Sequence, residues 1–572
     1  MALTKVTSSV LEDNITVAGN LDVSSGTIKL DGNYPTGTNN VALGNAALDS
    51  ITSGLKDVAI GTNALTALTS GAANIAVGYN TLAALTTASA NVAVGDEVLQ
   101  TNTSGAFNTA IGNAALRDNS TGSNNTAVGA YSLEANTASN NTAVGYYSLF
   151  SNTTGSQNVA VGGQALNTNT TGANNIAIGR QTMYYNSTGI NNTAIGHVAL
   201  GDNTTANNNT AVGYFALNAN TTGTRNNAMG VGSLDANTTG SYHVAIGYNA
   251  LGSNTTSNFN TAIGDLAMAD NTTGGSNVGV GSFALNLNTT GSGNTAVGYS
   301  SLDASTTADY NTAFGFVALG ANTTGTSNVA VGALAMDANT TGSNNTAVGH
   351  NSLTSCTTGG NNVAVGQDSG LNVTTGVQNV IIGIDCGDTL TTGNNNVLIG
   401  NTARPSGSGG SNQIAIGTVA TCVGDNNFTF GNQTTDSNIA FGATSITAPS
   451  DIRLKEEIED EKIGLDFIKD LRPVTFRWKK AKDVPPELKV HSDSEDRVMN
   501  GKYNHGFIAQ EVKEVIDRYD FKDGFDMWTE DEADGRQRVG EASLIPIMVK
   551  ALQELSAKVD SLQSELNILK GE

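Results

Sequence analysis

The sequence repeats with a period of seventeen residues over most of its length. The repeating pattern is N-T-A-V-G-x-x-A-L-x-x-N-T-T-G-x-x, as in NTAVGYYSLFSNTTGSQ at 141–157. A marker glycine recurs in 23 units from Gly44 to Gly417, and the step between Gly129 and Gly145 is one position shorter than the others. Such a unit is too short for a pair of helices and lacks a 3.6-residue apolar period. The repeat therefore predicts a stack of short coils.

Each unit contains the features of one coil of a β-solenoid. T-A-V-G alternates like a strand, and we expect the bulky residue before the glycine, such as Val128, Ile178 or Phe314, to face the core. The alanine before it is then expected on the opposite face. Leu or Met stands four residues after the glycine in the first 19 units, and N-T-T-G supplies a turn. This pattern predicts two short strands and two turns per coil, with stacking that makes the core continuous.

The ends of the repeat region differ from its middle. At about 4.8 Å per coil, the stack would extend on the order of 105 Å. The last four units lack the core leucine, and this loss predicts a tapering end. The residues at the leucine position are Gly370, Gly387, Arg404 and Thr421. The segment 1–39 alternates around Gly-Asn turns and predicts short strands that lead into the solenoid.

Two other interpretations of the repeat are less consistent with it. Disorder does not require an apolar residue at one phase in every unit, and a calcium-binding repeat requires an aspartate in phase. Five tyrosines of the repeat region could either stack on sugars or be ordinary surface residues: Tyr146, Tyr147, Tyr184, Tyr185 and Tyr214.

The N-T-A-V-G-x-x-A-L unit resembles the head repeats of trimeric autotransporter adhesins over roughly residues 40–420. That resemblance implies a left-handed parallel β-roll in a bundle of three chains. The chain departs from those adhesins because we find neither a secretory signal at the N-terminus nor a C-terminal membrane-barrel anchor.

The use of charge changes abruptly at Pro449-Ser450. Residues 1–449 hold 7 Lys/Arg and 22 Asp/Glu, whereas the much shorter segment 450–572 holds 20 and 28. The second segment has globular features: helices at 463–471 and 506–519, and a strand at 474–478. A seam of period 3.5 predicts a coiled coil over about 546–570, formed by Met548, Leu552, Leu555, Val559, Leu562, Leu566 and Leu569. Residues 421–449 are then a junction.

Four ordered blocks carry a second resemblance. They are SDIRLK (450–455), IGLDFIKDLRPVTF (463–476), HGFIAQEV (505–512) and LIPIMVKALQEL (544–555). Together they resemble the C-terminal intramolecular chaperone domain of phage tail fibres and endosialidase tailspikes. The resemblance implies a trimeric helper that assembles the preceding fibre and then cuts itself off between Pro449 and Ser450.

The same resemblance implies a Ser-Lys dyad that acts on its own chain as a serine endopeptidase. Ser450 would be the nucleophile and Lys455 the base, which must lose its proton before it can activate a hydroxyl. The supporting polar groups would be Asp451, Arg453 and His505. Without the later blocks, Pro449-Ser450-Asp451 would more simply indicate a helix cap.

Composition excludes several classes of partner. The net charge of −23 and a pI near 4.5 argue against nucleic acid and anionic membrane surfaces. No uninterrupted apolar run is long enough to predict a membrane span, and three scattered cysteines fit neither a disulfide framework nor a metal site. We expect no cofactor and no metal.

These observations favour a homotrimeric, mainly β viral tail fibre in the virion tail, assembled in the host cytoplasm. Its partners would be other tail proteins and a host-surface receptor, with a glycan as one candidate. A polysaccharide-degrading tailspike would need paired carboxylates, whereas the acids of the repeat are dispersed, as at Asp96, Glu97, Glu134 and Asp265. An ice- or surface-binding rod, suggested by the ranks of threonine, and a bacterial adhesin are further alternatives.

Overall fold

The structure is a computed structural model that describes residues 39–432, 436–443, 446, 452–488, 490–499, 501–519, 521, 527–530 and 535–571. The chain divides into two compact units, Met1–Pro449 and Ser450–Glu572. The strands expected in segment 1–39 fall almost wholly outside the described part. Within that part, no helix is both long enough and apolar enough to cross a membrane.

The first unit is a parallel β-solenoid, which confirms the predicted fold class. Strands β1–β12 are Val41–Leu43, Val58–Ile60, Ile75–Val77, Val92–Val94, Thr109–Ile111, Thr126–Val128, Thr142–Val144, Val159–Val161, Ile176–Ile178, Thr193–Ile195, Thr210–Val212 and Asn227–Met229. Strands β13–β23 are Val244–Ile246, Thr261–Ile263, Val278–Val280, Thr295–Val297, Thr312–Phe314, Val329–Val331, Thr346–Val348, Val363–Val365, Val380–Ile382, Val397–Ile399 and Gln413–Ile416. Each strand pairs in parallel with the equivalent residues of the next coil, as Thr142 does with Val159.

The solenoid ends with a change of strand direction. Strand β24 (Asn427–Phe430) continues the parallel ladder from β23. Strand β25 (Ser437–Ala440) then pairs with β24 in the antiparallel sense. These two strands lie in the segment that the sequence marked only as a junction.

The alanine of each strand faces the core, whereas the bulky residue before the glycine was predicted to do so. The predicted orientation of the strand is therefore wrong. Ala143 and Leu149 are fully buried, whereas Ile178 is 39% and Phe314 55% exposed. A coil this short has a narrow interior that holds one column of large side chains. Leucine from the opposite side fills that space, so only a small residue fits opposite it on the strand. The Val/Ile column before each glycine therefore lies on the outer surface.

The leucine side of each coil is not a second strand. Tyr147 and Leu149 adopt left-handed backbone conformations, with φ of 56° and 49°. The Tyr147 N–H donates to the carbonyl of Ala130 in the preceding coil, and the Leu149 N–H donates to that of Ala165 in the following coil, at 3.1 and 2.9 Å. The backbone groups are thus satisfied between coils without β geometry, and the cost of positive φ is offset by burial and these bonds.

The marker glycine is required by both its conformation and its neighbours. Gly145 has φ of 133°, which side-chain-bearing residues rarely adopt. A Cβ at this position would lie 2.6 Å from the carbonyl oxygen of Gly162 in the next coil. Coils can therefore stack at the sheet spacing only when this position has no side chain.

The core is refilled from the strand side at two of the four units for which a taper was predicted. Gly370 and Gly387 replace the leucine, while Ile381 and Leu398 replace the strand alanine and are fully buried. A Cβ on Gly370 would lie 3.1 Å from Cδ1 of Ile381. In this part of the solenoid the large side chain comes from the strand and the small residue stands at the leucine position, so the interior remains filled.

A ladder of buried asparagines runs inside the turn that precedes most strands of the solenoid. The backbone N–H of Asn158 donates to Oδ1 of Asn141 at 2.9 Å, and its own amide donates to the carbonyl of Gly172 at 2.8 Å. His243 takes the asparagine's place in one coil, where it is fully buried. Its Nδ1 accepts from the N–H of Asn260 at 3.2 Å, so Nε2 carries the proton and donates to the Ser257 carbonyl at 2.8 Å.

We expect His243→Asn to make the solenoid less sensitive to acid. Burial lowers the pKa of His243 to about 4 from 6.5. Because the folded pKa is depressed, the stability that depends on neutral histidine is complete above pH 6.5 and is lost as the pH falls towards 4. At pH 4.5 the loss should be about 2 to 3 kcal/mol, which asparagine avoids. Thermal unfolding of both proteins at pH 7.5 and 4.5 measures this difference, and an equal loss in both would contradict it.

The second unit is a small α+β domain with a long terminal helix. Its elements are α1 (Leu465–Asp470), β26 (Val474–Phe476), β27 (Asn504–Gly506), α2 (Ala509–Ile516), β28 (Trp528–Glu530), β29 (Gln537–Val539) and α3 (Leu544–Lys570), with 3-10 turns at Ile452–Leu454, Ala481–Asp483 and Glu541–Ser543. The three predicted elements are present but shorter than their patterns. The core of this unit contains Phe467, Leu471, Val512, Val515, Met527, Leu544 and Ile547.

Candidate processing and assembly site

The predicted nucleophile lies outside the described residues, as do Pro449 and Asp451. The described chain resumes at the 3-10 turn Ile452–Leu454, which contains Arg453. Lys455 follows this turn, and its backbone N–H donates to the carbonyl of Ile452 at 3.2 Å. Both basic side chains are exposed. The proposed dyad therefore remains a prediction from the sequence.

His505 lies on β27, which pairs with β26 in antiparallel fashion so that His505 faces Thr475. The Oγ1 of Thr475 and the Nδ1 of His505 are 3.2 Å apart and form a hydrogen bond. The two residues line a pocket of about 290 Å³ together with Glu541 from the turn before α3. A Cβ on Gly506 would lie 3.2 Å from the carboxylate of Glu541, so a larger residue here would crowd that side chain.

Neither Lys455 nor Arg453 is among the residues that line this pocket. The pocket brings together a hydroxyl, an imidazole and a carboxylate, which are groups that can bind or exchange protons with a peptide segment. Sequence reasoning named His505 but did not name Thr475 or Glu541, which line the same pocket. Thr475 lies within the block IGLDFIKDLRPVTF (463–476). Glu541 lies just before the block LIPIMVKALQEL (544–555) and belongs to no motif that the sequence shows.

An ion pair joins two of the blocks that carried the resemblance. The Nε of Arg472 donates to Oε2 of Glu511 at 2.9 Å, and a second bond joins the same two groups. The guanidinium lowers the pKa of Glu511 through these hydrogen bonds. This bidentate pair links the residue two positions before β26 to α2.

The long helix α3 also supports the short helix α1. The carboxylate of Glu554 accepts the backbone N–H of Leu465 at 2.8 Å, which satisfies a donor at the start of α1. A Cβ on Gly464 would lie 2.6 Å from the same carboxylate, so a side chain at this position would displace Glu554. One face of α3 is therefore committed to the core of its own chain, where Ile547 and Ala551 are buried.

The heptad face of α3 is exposed within one chain. The exposed fractions are 65% for Leu552, 45% for Leu555, 64% for Leu562 and 42% for Leu566. A row of leucines in water is costly, at about 2 kcal/mol for each side chain that remains exposed. This face is therefore available for association.

Comparison with known families gives one match in the second unit. The family described as the chaperone of endosialidase matches residues 450–522, which include the predicted nucleophile, Lys455 and His505. The chain thus carries a chaperone-of-endosialidase domain after its β-solenoid. Comparisons with curated proteins and with solved structures give no significant match.

Proposed function

We propose that the chain is the precursor of a trimeric viral tail fibre or tailspike-type structural protein. Its C-terminal chaperone aligns three chains, and cleavage between Pro449 and Ser450 then releases it. The observation that carries this proposal is the start of the chaperone match at Ser450, which is also the first residue of the second compact unit. A removable assembly domain needs such a boundary, because no core residue is then shared between product and helper.

The trimer is supported by two apolar surfaces, one in each unit. Domains of the chaperone-of-endosialidase type are associated with trimerisation. In the solenoid, the residues one and three positions before the marker glycine, such as Val144 and Thr142, lie side by side on the outer face of every strand. The solenoid association therefore uses this Val/Ile/Thr face, and not the alanine face, which is already filled.

The ice-binding alternative is disfavoured by how the threonines are used. Thr153 donates its hydroxyl to the carbonyl of Thr170, and Thr170 donates to that of Ser187, both at 3.0 Å. The first threonine of each N-T-T-G turn thus links consecutive coils. A surface that orders water needs regular rows of hydroxyls that are free to bind water. Here the row formed by the first threonine of each turn already donates its hydroxyls to the next coil.

We expect Leu555→Glu/Leu562→Glu to convert the full chain from trimer to monomer or aggregate. In a three-stranded seam these changes bury carboxylates from every chain, each of which is costly without a partner. Sedimentation equilibrium of the freshly purified full chain measures the mass. The matched control is Ala557→Glu/Ser564→Glu, which adds the same charge on the opposite side of the helix and should leave the trimer intact. A monomeric wild type, or a seam variant that stays trimeric, would contradict the proposal.

A further inference from the structure

A groove of about 770 Å³ lies in the second unit next to β26. Phe476 and Trp478 line it, and their rings meet edge-on with centroids 5.3 Å apart. Val490 and Met499, from the chain between β26 and β27, also line it, and Met499 is 57% exposed. Apolar side chains that remain this open to water favour a partner that covers them.

Positive charge is concentrated around this groove. Among the residues that the structure describes, no carboxylate lines it, whereas four cationic side chains do: Arg477, Lys479, Arg536 and Arg538. The whole segment 450–572 holds more acids than bases, 28 against 20, so this concentration is local. The Nη2 of Arg477 donates to the carbonyl of Gly501 at 2.8 Å, which holds one of these charges in place. We call this pocket the basic groove.

The complementary charge lies in residues 456–461 of the same unit, with the sequence EEIEDE. Five of these six residues carry a carboxylate, and all six are exposed. Ile458, in the middle, is 63% exposed. Neighbouring carboxylates repel one another, and blocks of like charge are often interaction segments. We call this stretch the acidic segment; none of its residues lines the basic groove of its own chain.

We propose that the acidic segment of one chain docks in the basic groove of the next chain in the trimer. Ile458 lies against Met499 and covers the apolar lining, while the carboxylates on either side of it pair with the cations of the groove. This inference rests on the proposed function and identifies a contact by which one chaperone recognises the next.

The symmetry of a trimer favours a second copy of the chain as the occupant. In a cyclic trimer each chain presents one surface to one neighbour and a different surface to the other, so two complementary surfaces are needed on the same domain. The acidic segment and the basic groove are such a pair in charge. Within one chain, the segment leads into α1, where Glu554 of α3 binds the N–H of Leu465, and it remains exposed there.

The test is disulfide cross-linking of the full chain that carries Ser450→Ala, so that the chaperone stays attached. We expect Ile458→Cys/Met499→Cys to give covalent trimers on non-reducing denaturing gels after mild oxidation, because a disulfide forms only between cysteines that approach closely. The matched controls are the two single-cysteine variants, which should migrate as single chains. The three native cysteines are buried in the solenoid.

Charge reversal in the same double-cysteine chain tests the complementarity. Lys479→Glu/Arg536→Glu in the groove, or Glu456→Lys/Asp460→Lys in the segment, should slow cross-linking at least about tenfold. All four substitutions together restore opposite charges and should return the rate to within about twofold of the starting chain. Cross-linking at the starting rate in either reversed variant, or no recovery in the combined one, would overturn the proposal.

Sedimentation of each protein separates this inference from the proposed function. A trimer in which the two cysteines do not cross-link would overturn the docking contact and leave the fibre proposal standing. A disulfide formed within single chains would assign the groove to the segment of its own chain, which is contrary to the proposal. A monomeric protein would overturn both proposals.

Discussion

Replacing Ser450 by alanine is expected to leave the chain at full length after it has trimerised. The wild type should separate into a fragment that ends at Pro449 and one that starts at Ser450. The physical reason is that the variant loses the proposed nucleophile, whereas the core of the second unit and the heptad face of α3 are unchanged. Cleavage should fall below detection, while the variant should still sediment as a trimer of full-length chains.

The base of the proposed dyad provides an independent test. Lys455→Ala should block cleavage because the hydroxyl then keeps its proton. Lys455→Arg should also block it, because a guanidinium keeps its proton in proteins. Lys462→Ala is a matched control, since Lys462 is another exposed lysine on the same segment, paired with Glu459 at 3.2 Å, and its loss should leave cleavage intact.

Denaturing gels and N-terminal sequencing of the small fragment decide the outcome. Intact wild-type chains after trimerisation would mean that the chaperone acts without self-processing. Cleavage of Ser450→Ala at the rate of the wild type would exclude Ser450 as the nucleophile.

Deleting residues 450–572 before expression is expected to abolish soluble trimer, with a loss of yield of about tenfold or more. Neighbouring coils are nearly identical, so three chains can associate out of register by one coil. Each shifted pairing leaves an exposed parallel strand edge and an apolar outer face, which promote aggregation. A clamp at one end fixes the register before the coils pair.

The matched control is the same segment, 1–449, released from the full precursor after assembly. It should remain a soluble trimer, because separation of stacked coils is slow and the stability of the product is kinetic. Size-exclusion chromatography with light scattering compares the two preparations. Soluble trimer from the truncated gene would show that the chaperone is not required.

The sequence determined the solenoid, because its period is set by covalent spacing. A glycine at the same place in every unit, with a leucine four positions later in most of them, predicts stacked coils and not disorder or a helical repeat. It also located the boundary at Pro449-Ser450 and the heptad face of α3, since both are properties of order along the chain. The residues of the dyad came from the same order and remain a prediction.

Only the tertiary structure decided which way the strands face. Alternation separates two faces but does not say which is inside, and the core took Ala143 because Leu149 enters the same narrow space from the other side. For the same reason, the sequence did not show that Ile381 fills the space next to Gly370, because the two residues come together only in the folded solenoid. The pocket at His505 likewise combines Thr475 and Glu541, which are far apart in sequence. Packing in a limited volume, and not local pattern, fixed each of these arrangements.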